Sequence, residues 1–341
     1  MKTQIINKNI AIILLLGGIL FISGCGGDED DTTTLKVADS VPESNYISKD
    51  GISYWMDRVE ELTEGEVEFE YYPSEQLGDA DSLLDATKSK TTDIGYVSYA
   101  EEDLPLTQIT QLPGALESSS EGSEVIWELA NDDIMLDEFL EEDVRPVFAA
   151  TLTPDQIATT DVKIKGKEDL NSLKVRSAGG ITDFTANIMG VTPVSMPAPE
   201  MYTAMERGTV DGSIVNLTSF TPYQLEEVSG YSTKNANFGS FGVYYAINED
   251  VYQDLDDDEK EALITAGDET VEHFSETLDE DIDELTGELD EEGVEMYDLD
   301  SNLKNELNTE FEEYWNEWSQ NLDDKGYPAS KLLNNFEEEL Q

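Results

Sequence analysis

Arg176 is the residue best placed for chemistry. It closes a short apolar run, Leu173-Lys174-Val175-Arg176, and is followed by Ser177-Ala178-Gly179-Gly180. A guanidinium is a planar, permanently charged fork that takes a carboxylate through two parallel hydrogen bonds. The small residues after it leave room for such a ligand, so the chemistry to expect is capture of an organic anion. Tyr96, Ser98 and Tyr99 end a second apolar run, Thr92–Ser98. Tyrosine offers a ligand an apolar body with a hydroxyl tip.

Other chemistry finds no footing. The chain has one cysteine, Cys25, and one histidine, His273. Metal clusters of those residues are therefore ruled out by counting, nucleophilic catalysis has no support because His273 has no plausible partner, and no Gly-x-Ser-x-Gly elbow, phosphate loop or dinucleotide fingerprint occurs. His273, between Glu272 and Glu276, reads as a solvated surface residue. The acidic runs 255–259 and 278–292 lack the glycine-centred spacing of a calcium loop and read as solvated faces. No enzyme activity, cofactor or metal is expected.

The elements that must position Arg176 follow from local pattern. Leu173–Arg176, Val194–Met196 and Ser213–Val215 read as strands. A helix between the first two begins near Thr182 or Asp183 as cap and stops at Gly190. A second, with Pro199 in its first turn, stops at Gly208. Strand–helix alternation of this length implies an α/β fold with a parallel sheet, and ligands bind at the carboxyl ends of its strands. Arg176, Tyr96, Ser98 and Tyr99 all sit at such ends.

With 77 acidic against 19 basic residues the formal net charge is −58 over 341 residues. A disordered acidic chain would lack aromatics, yet this one has 4 Trp, 15 Tyr and 11 Phe, and 38% of its residues are hydrophobic. The charge fits a folded protein built for high salt, where the Debye length shrinks to about 3 Å at 1 M. It argues against nucleic acid as partner. At the N-terminus, Lys2 and Lys8 precede the apolar run Ile10–Ile22 and Ile22-Ser23-Gly24-Cys25. This reads as a signal peptide over 1–24, with Cys25 lipidated and 25–33 a tether. Further strands are expected at Leu35–Ala38, Glu66–Tyr72 and Arg145–Ala150. Long acidic helices are expected at 257–287, 301–321 and 329–340.

Several blocks resemble the solute-binding proteins of TRAP transporters, the DctP-like family. They are Leu173–Arg176, Pro193–Met196 with Glu200–Met205, Gly208–Gly212, and Pro73-Ser74-Glu75-Gln76-Leu77-Gly78. The resemblance implies a two-lobed periplasmic-binding-protein-like fold with hinge strands and long C-terminal helices. Lobe I would comprise 34–153 plus 242–281, and lobe II 154–241 plus 282–341, with crossings near 152–155 and 240–245. It further implies an extracytoplasmic protein, lipid-anchored to the cell membrane. Such a protein closes on a small organic acid and delivers it to a small and a large membrane subunit. Arg176 would be the carboxylate clamp, with Ser177 beside it. Where dicarboxylate and sialic-acid members carry a second arginine, this chain has Gln156; where they carry an aromatic, it has Ala198; where they carry Asn it has Val215, with Asn216 one step later. The site is thus less cationic than a dicarboxylate site, and a monocarboxylate with an apolar or aromatic body is expected. Tyr96, Tyr99 and Phe238 would supply the walls, and small residues at Gly114-Ala115 would widen the cleft. The alternatives are a binding protein of an ABC-type importer or sensor, or an extracytoplasmic hydrolase.

Overall fold

The computed structural model describes residues 32–196 and 198–340. Cys25, the expected signal peptide and most of the expected tether lie outside the described residues.

The strands, in chain order, are β1 (Thr33–Ala38), β2 (Val67–Tyr72), β3 (Ile94–Tyr96), β4 (Val144–Thr151), β5 (Gln156–Thr159) and β6 (Lys174–Ser177). They continue with β7 (Thr192–Ser195), β8 (Gly212–Val215), β9 (Tyr231–Thr233), β10 (Gly242–Asn248) and β11 (Glu295–Tyr297). One sheet runs β2-β1-β3-β10-β4 and the other β11-β9-β5-β8-β6-β7. The parallel sheet expected from sequence holds only for part of each. β1 lies parallel to β2 and β3, and β6 parallel to β7 and β8. β10 is antiparallel to β3 and β4, and β5 to β8 and β9. These antiparallel strands flank the two segments where the chain passes between sheets, and alternation alone does not reveal that reversal.

Helices cover the sheets over their central strands, which bury both faces. β3, β8 and β10 have every residue buried. The first sheet's core contains Trp55, Phe139, Phe148, Tyr245 and Phe274. The second sheet has one apolar cluster around Val175, Ile214, Phe238 and Phe311, and another around Ala158, Met201, Val215 and Phe220.

The expected strand–helix–strand–helix–strand unit is present: β6, helix Ile181–Met189, β7, helix Met201–Glu206, β8. Its cap differs from expectation. The helix starts after Gly180 with no side-chain cap, and Thr182 and Asp183 lie within its first turn. Gly179 and Gly180 have φ of 98° and 55°, left-handed values that a side chain resists, so the turn out of β6 needs this pair.

Two segments join the sheets and hydrogen-bond to each other. Leu152 N–H donates to Phe241 O, Asp155 N–H to Gly239 O and Phe238 N–H to Asp155 O, at 2.9, 2.8 and 3.1 Å. Gly239, at φ 107°, also lets the second segment pass close to the turn before Leu112: a Cβ there would lie 2.4 Å from Gln111 O.

The helix Asp257–Glu292 runs past both halves, packing on β4 and on β11. Its Asp256 caps it, and its Asp279 carboxylate accepts from the N–H groups of Ser119 and Ser120. The acidic runs thus include structural members as well as solvated ones. The helix Ser301–Asp323 is divided: Leu303, Leu307 and Phe311 belong to the second half's core, while Trp315, Trp318 and Leu322 belong to the first's. Leu332, Leu333 and Phe336 follow them. Assigning all of 282–341 to lobe II is corrected accordingly, because helical spacing reveals that a face is apolar but not which partner covers it. His273 is half-buried and stacks on Tyr54, with ring centroids 4.0 Å apart, instead of standing free in solvent.

Candidate ligand-binding cleft

β6 carries Arg176 between Val194 of β7 and Ser213 of β8. The residue is only 7% exposed. Its Nε donates to Met196 O at 2.9 Å, and Nη1 makes a long contact of 3.5 Å with Ile214 O. These carbonyls fix the plane of the fork without neutralising it. Arg176 forms no ion pair among the described residues, and its remaining N–H groups have no protein acceptor there. Burial lowers its pKa from the ordinary arginine value, and Asp155, Tyr99 and Tyr223 oppose that shift.

These three groups are the ones that act on the guanidinium electrostatically. Tyr99 comes from the loop after β3. It is 49% exposed, and its ring packs against Tyr96 and Phe241 at 5.9 and 5.4 Å. Desolvation pushes its phenol up to about 12. Tyr223 ends the short helix Phe220–Tyr223 from the second half. Asp155 sits in the first connecting segment and is partly exposed. Burial raises its carboxyl to about 7, while Arg176 and a hydrogen bond from Asn216 pull the other way. For Arg176 and for Asp155 alike, loss of hydration therefore outweighs their attraction to each other. Glu101 closes one side: a Cβ on Gly180 would lie 3.5 Å from its Oε2, and Gln111 Nε2 donates to its Oε1. The halves thus approach each other between the loop at 99–101 and the turn at 179–180.

The structure brings together some expected site residues and not others. Tyr99 acts on Arg176 electrostatically, and Asn216 follows β8, the strand beside β6. Asn216 Oδ1 accepts from the hydroxyls of Thr218 and Ser219, leaving its amide N–H₂ for Asp155. Ala198 begins a 3₁₀ turn, partly buried against the Met201 cluster.

Others are committed to the fold. Gln156 Nε2 donates to Pro154 O and Ala236 O, while its Oε1 accepts from the Thr233 hydroxyl and Ala236 N–H. With both ends of its amide held inside the protein, it is a staple of the connecting segments, not a ligand group. Phe238 is 3% exposed and meets Phe311 edge-on at 6.3 Å, so it is core and not wall. Val215 is core beside Phe220. The Ser177 hydroxyl donates to Asp183 Oδ1, and Ser98 Oγ accepts from Tyr244 N–H. Tyr96 is fully buried beneath Tyr99, so it backs the wall without forming it. Gly114 and Ala115 do not widen the cleft: Gly114 abuts Asn308 and Phe311, and Trp315 Nε1 donates to Pro113 O.

Sequence reasoning missed Asp155, Tyr223 and Glu101. Asp155 lies beside Gln156 in the crossing segment, and a carboxylate where the pattern called for cations was the available signal. Tyr223 is the last residue of its helix before the left-handed Gln224, φ 56°; no local motif announces its influence on Arg176.

A family model for bacterial extracellular solute-binding proteins, family 7 (DctP), matches residues 37–321. The chain belongs to that family. A solute-binding protein of Albidiferax ferrireducens is 24% identical over 249 residues, covering 71% of this chain and 72% of the relative. Among solved structures, a TRAP solute-binding protein from Rhodoferax ferrireducens in complex with benzoate has a TM-score of 0.80 at 21% identity, covering 91% of this chain and 98% of that one. A marine metagenome TRAP solute-binding protein specific for aromatic acid ligands, in complex with metahydroxyphenylacetate, has a TM-score of 0.81 at 20% identity, covering 90% and 98%. These likenesses are of fold. Family 7 proteins are binding proteins acting outside the cytoplasm, and no helix among the described residues is long and apolar enough to cross a membrane.

Proposed function

We propose that this family 7 protein captures a small monocarboxylic acid with an apolar or aromatic body and hands it to the membrane subunits of a TRAP transporter. The observation that carries the reading is a buried guanidinium held by backbone carbonyls, with no ion-pair partner among the described residues. The ligand carboxylate would dock on its free N–H groups, and its body would lie against Tyr99, Phe241 and Tyr223. The aromatic acids held by the two solved relatives agree with that body.

Closure would rotate lobe I, 34–153 with 242–281, against lobe II, 154–241 with the residues from 282 into helix Ser301–Asp323. The hydrogen-bonded segments at 152–155 and 237–241 would flex. A ligand touching Tyr99 on one side and Arg176 on the other favours the closed state, because only differential affinity shifts such a balance. The test is a thermal-shift panel of organic acids in molar salt, followed by calorimetry on Arg176→Ala. A stabilising monocarboxylate whose binding is lost in the variant supports the reading. Unchanged affinity refutes it.

The N-terminal pattern supports export and lipid anchoring through Cys25. Cys25→Ala should release the protein from membranes, and retention there would refute the anchor. The charge of −58 supports a high-salt medium, with unfolding expected on dialysis to low salt and undiminished stability as the contrary result.

A further inference from the structure

A pocket of about 430 Å³ lies where the two connecting segments meet the long helix, a size that suits a small ligand. Neither Arg176 nor any of the groups that act on its charge lines it. Most polar groups around it are committed to the fold. Both ends of the Gln156 amide are held inside the protein, and Asn235 Oδ1 accepts from Leu299 N–H at 2.7 Å. The Asp279 carboxylate accepts from the N–H groups of Ser119 and Ser120. Four groups are different. Thr153 Oγ1, on the first segment, and Asn237 Oδ1, on the second, are buried without a hydrogen-bond partner among the described residues. Their residues are 4% and 6% exposed. Lys234 and Lys304 line the same pocket, and neither ammonium has an ion pair or hydrogen bond among the described residues. In a chain with 77 acidic and only 19 basic residues, two such lysines in one pocket call for an anion from outside.

The orphaned groups specify more than an anion. Asn237 Nδ2 donates to Leu116 O, and its backbone O accepts from Gly114 N–H at 2.9 Å. The end of its amide left over is therefore a pure acceptor, which needs an N–H or O–H donor. A bare anion would leave that acceptor unserved, and a bare amine would leave the lysines so. Glu117 and Asp279 also line the pocket, so two carboxylates balance the two ammonium groups. That balance suits a ligand that is neutral overall yet carries both signs, and it favours an ammonium over a hydroxyl as the donor. Leu217 and Ile282 offer such a ligand an apolar wall.

We propose that this pocket is a second ligand site, for an α-amino acid with a small apolar side chain. The carboxylate of the amino acid lies on Lys234 and Lys304, its ammonium donates to Asn237 Oδ1, and the Thr153 hydroxyl donates to the carboxylate. The site is separate from Arg176 and does not rest on the acid reading of the cleft.

The experiment is titration calorimetry with valine in molar salt, on the wild-type protein and on Lys304→Gln, Thr153→Val and Arg176→Ala. Three analogues are then scored by competition with bound valine on the wild type. They are 3-methylbutanoate, which lacks the ammonium, 2-hydroxy-3-methylbutanoate, which has a hydroxyl in its place, and isobutylamine, which lacks the carboxylate. Expected is saturable valine binding that Lys304→Gln weakens at least about tenfold and Thr153→Val about threefold. Arg176→Ala should leave it within about twofold, as for a distant, independent site. Each analogue should compete at least about tenfold more weakly than valine, because it leaves one orphaned group unserved or unpaired. The proposal is overturned if valine does not bind, or if it binds the folded Lys304→Gln protein as tightly as the wild type. Loss of valine binding in a folded Arg176→Ala protein overturns it too, by placing the amino acid in the cleft. So does a hydroxy acid that competes as well as valine. Should Thr153→Val fail to fold, Lys304→Gln, at a half-buried helix position, still decides.

Discussion

Arg145 and Arg176 stand on strands of the two sheets, and their surroundings are opposite. Arg145, on β4, is forked onto Glu249 at 2.8 and 3.0 Å, and its guanidinium lies 4.7 Å from the centre of the Tyr252 ring. Arg176, on β6, is held by two backbone carbonyl oxygens, and the groups that act on its charge are Asp155, Tyr99 and Tyr223. A side chain pair that satisfies itself holds structure together. A buried fork anchored only by backbone keeps donors for something that arrives from outside. In a chain with so many carboxylates, a buried arginine with no ion pair among the described residues is the more telling of the two arrangements.

The largest effect that tests this contrast is on affinity. Arg176→Ala should weaken acid binding by at least about 100-fold, as expected when one partner of a desolvated charged pair is removed, whereas Arg145→Ala should leave affinity within about twofold. Equal losses in calorimetry would erase the distinction. Next comes Gln156, which the sequence pattern aligns with a cationic ligand group. Gln156→Ala should lower stability by about 2–3 kcal/mol through unsatisfied buried groups, while the surviving folded protein binds as before. A selective loss of affinity would return Gln156 to the site.

Glu249→Gln removes the charge opposite Arg145 and should cost about 1–2 kcal/mol in denaturant unfolding without creating a second acid site. An added binding event in calorimetry would contradict the idea that position in the cleft, and not mere lack of a partner, makes Arg176 a clamp. The smallest effect concerns a buried acid with no cation. Desolvation raises Glu138 to about 8, although Leu106 N–H donates to its Oε1. A carboxyl raised above its unfolded value contributes stability that is full below the unfolded pKa and is lost as pH climbs through the folded one. Wild-type melting temperature should therefore decline between about pH 4.5 and 8, and Glu138→Gln should flatten that decline by a few degrees. Parallel curves for the two proteins would show that Glu138 is not responsible.

The α/β unit from β6 to β8 was legible because each element announces itself locally: an apolar run, a glycine stop, a proline at a helix start. Arg176 was legible for the same reason, as its place follows from the strand it ends. What stayed hidden depends on contacts between distant segments. Phe238 looks like a wall residue until Phe311 arrives from a helix more than seventy positions later. Gln156 looks free until Thr233 and Ala236 close around its amide. The antiparallel returns of β5 and β10, and the sharing of helix Ser301–Asp323 between two cores, likewise belong to tertiary pairing and leave no periodic trace.

The helix Asp257–Glu292 has a mechanical corollary. A single stiff rod that touches both halves cannot be indifferent to their rotation: its far end must swing, or the rod must bow. Asp279 tethers its middle to the start of helix Ser119–Asn131, which makes that point the natural fulcrum. A pair of spin labels, one on the exposed face near Glu261 and one near Glu291, would read bowing as a change in their separation, while labels placed on the rod and on the second sheet would read the swing.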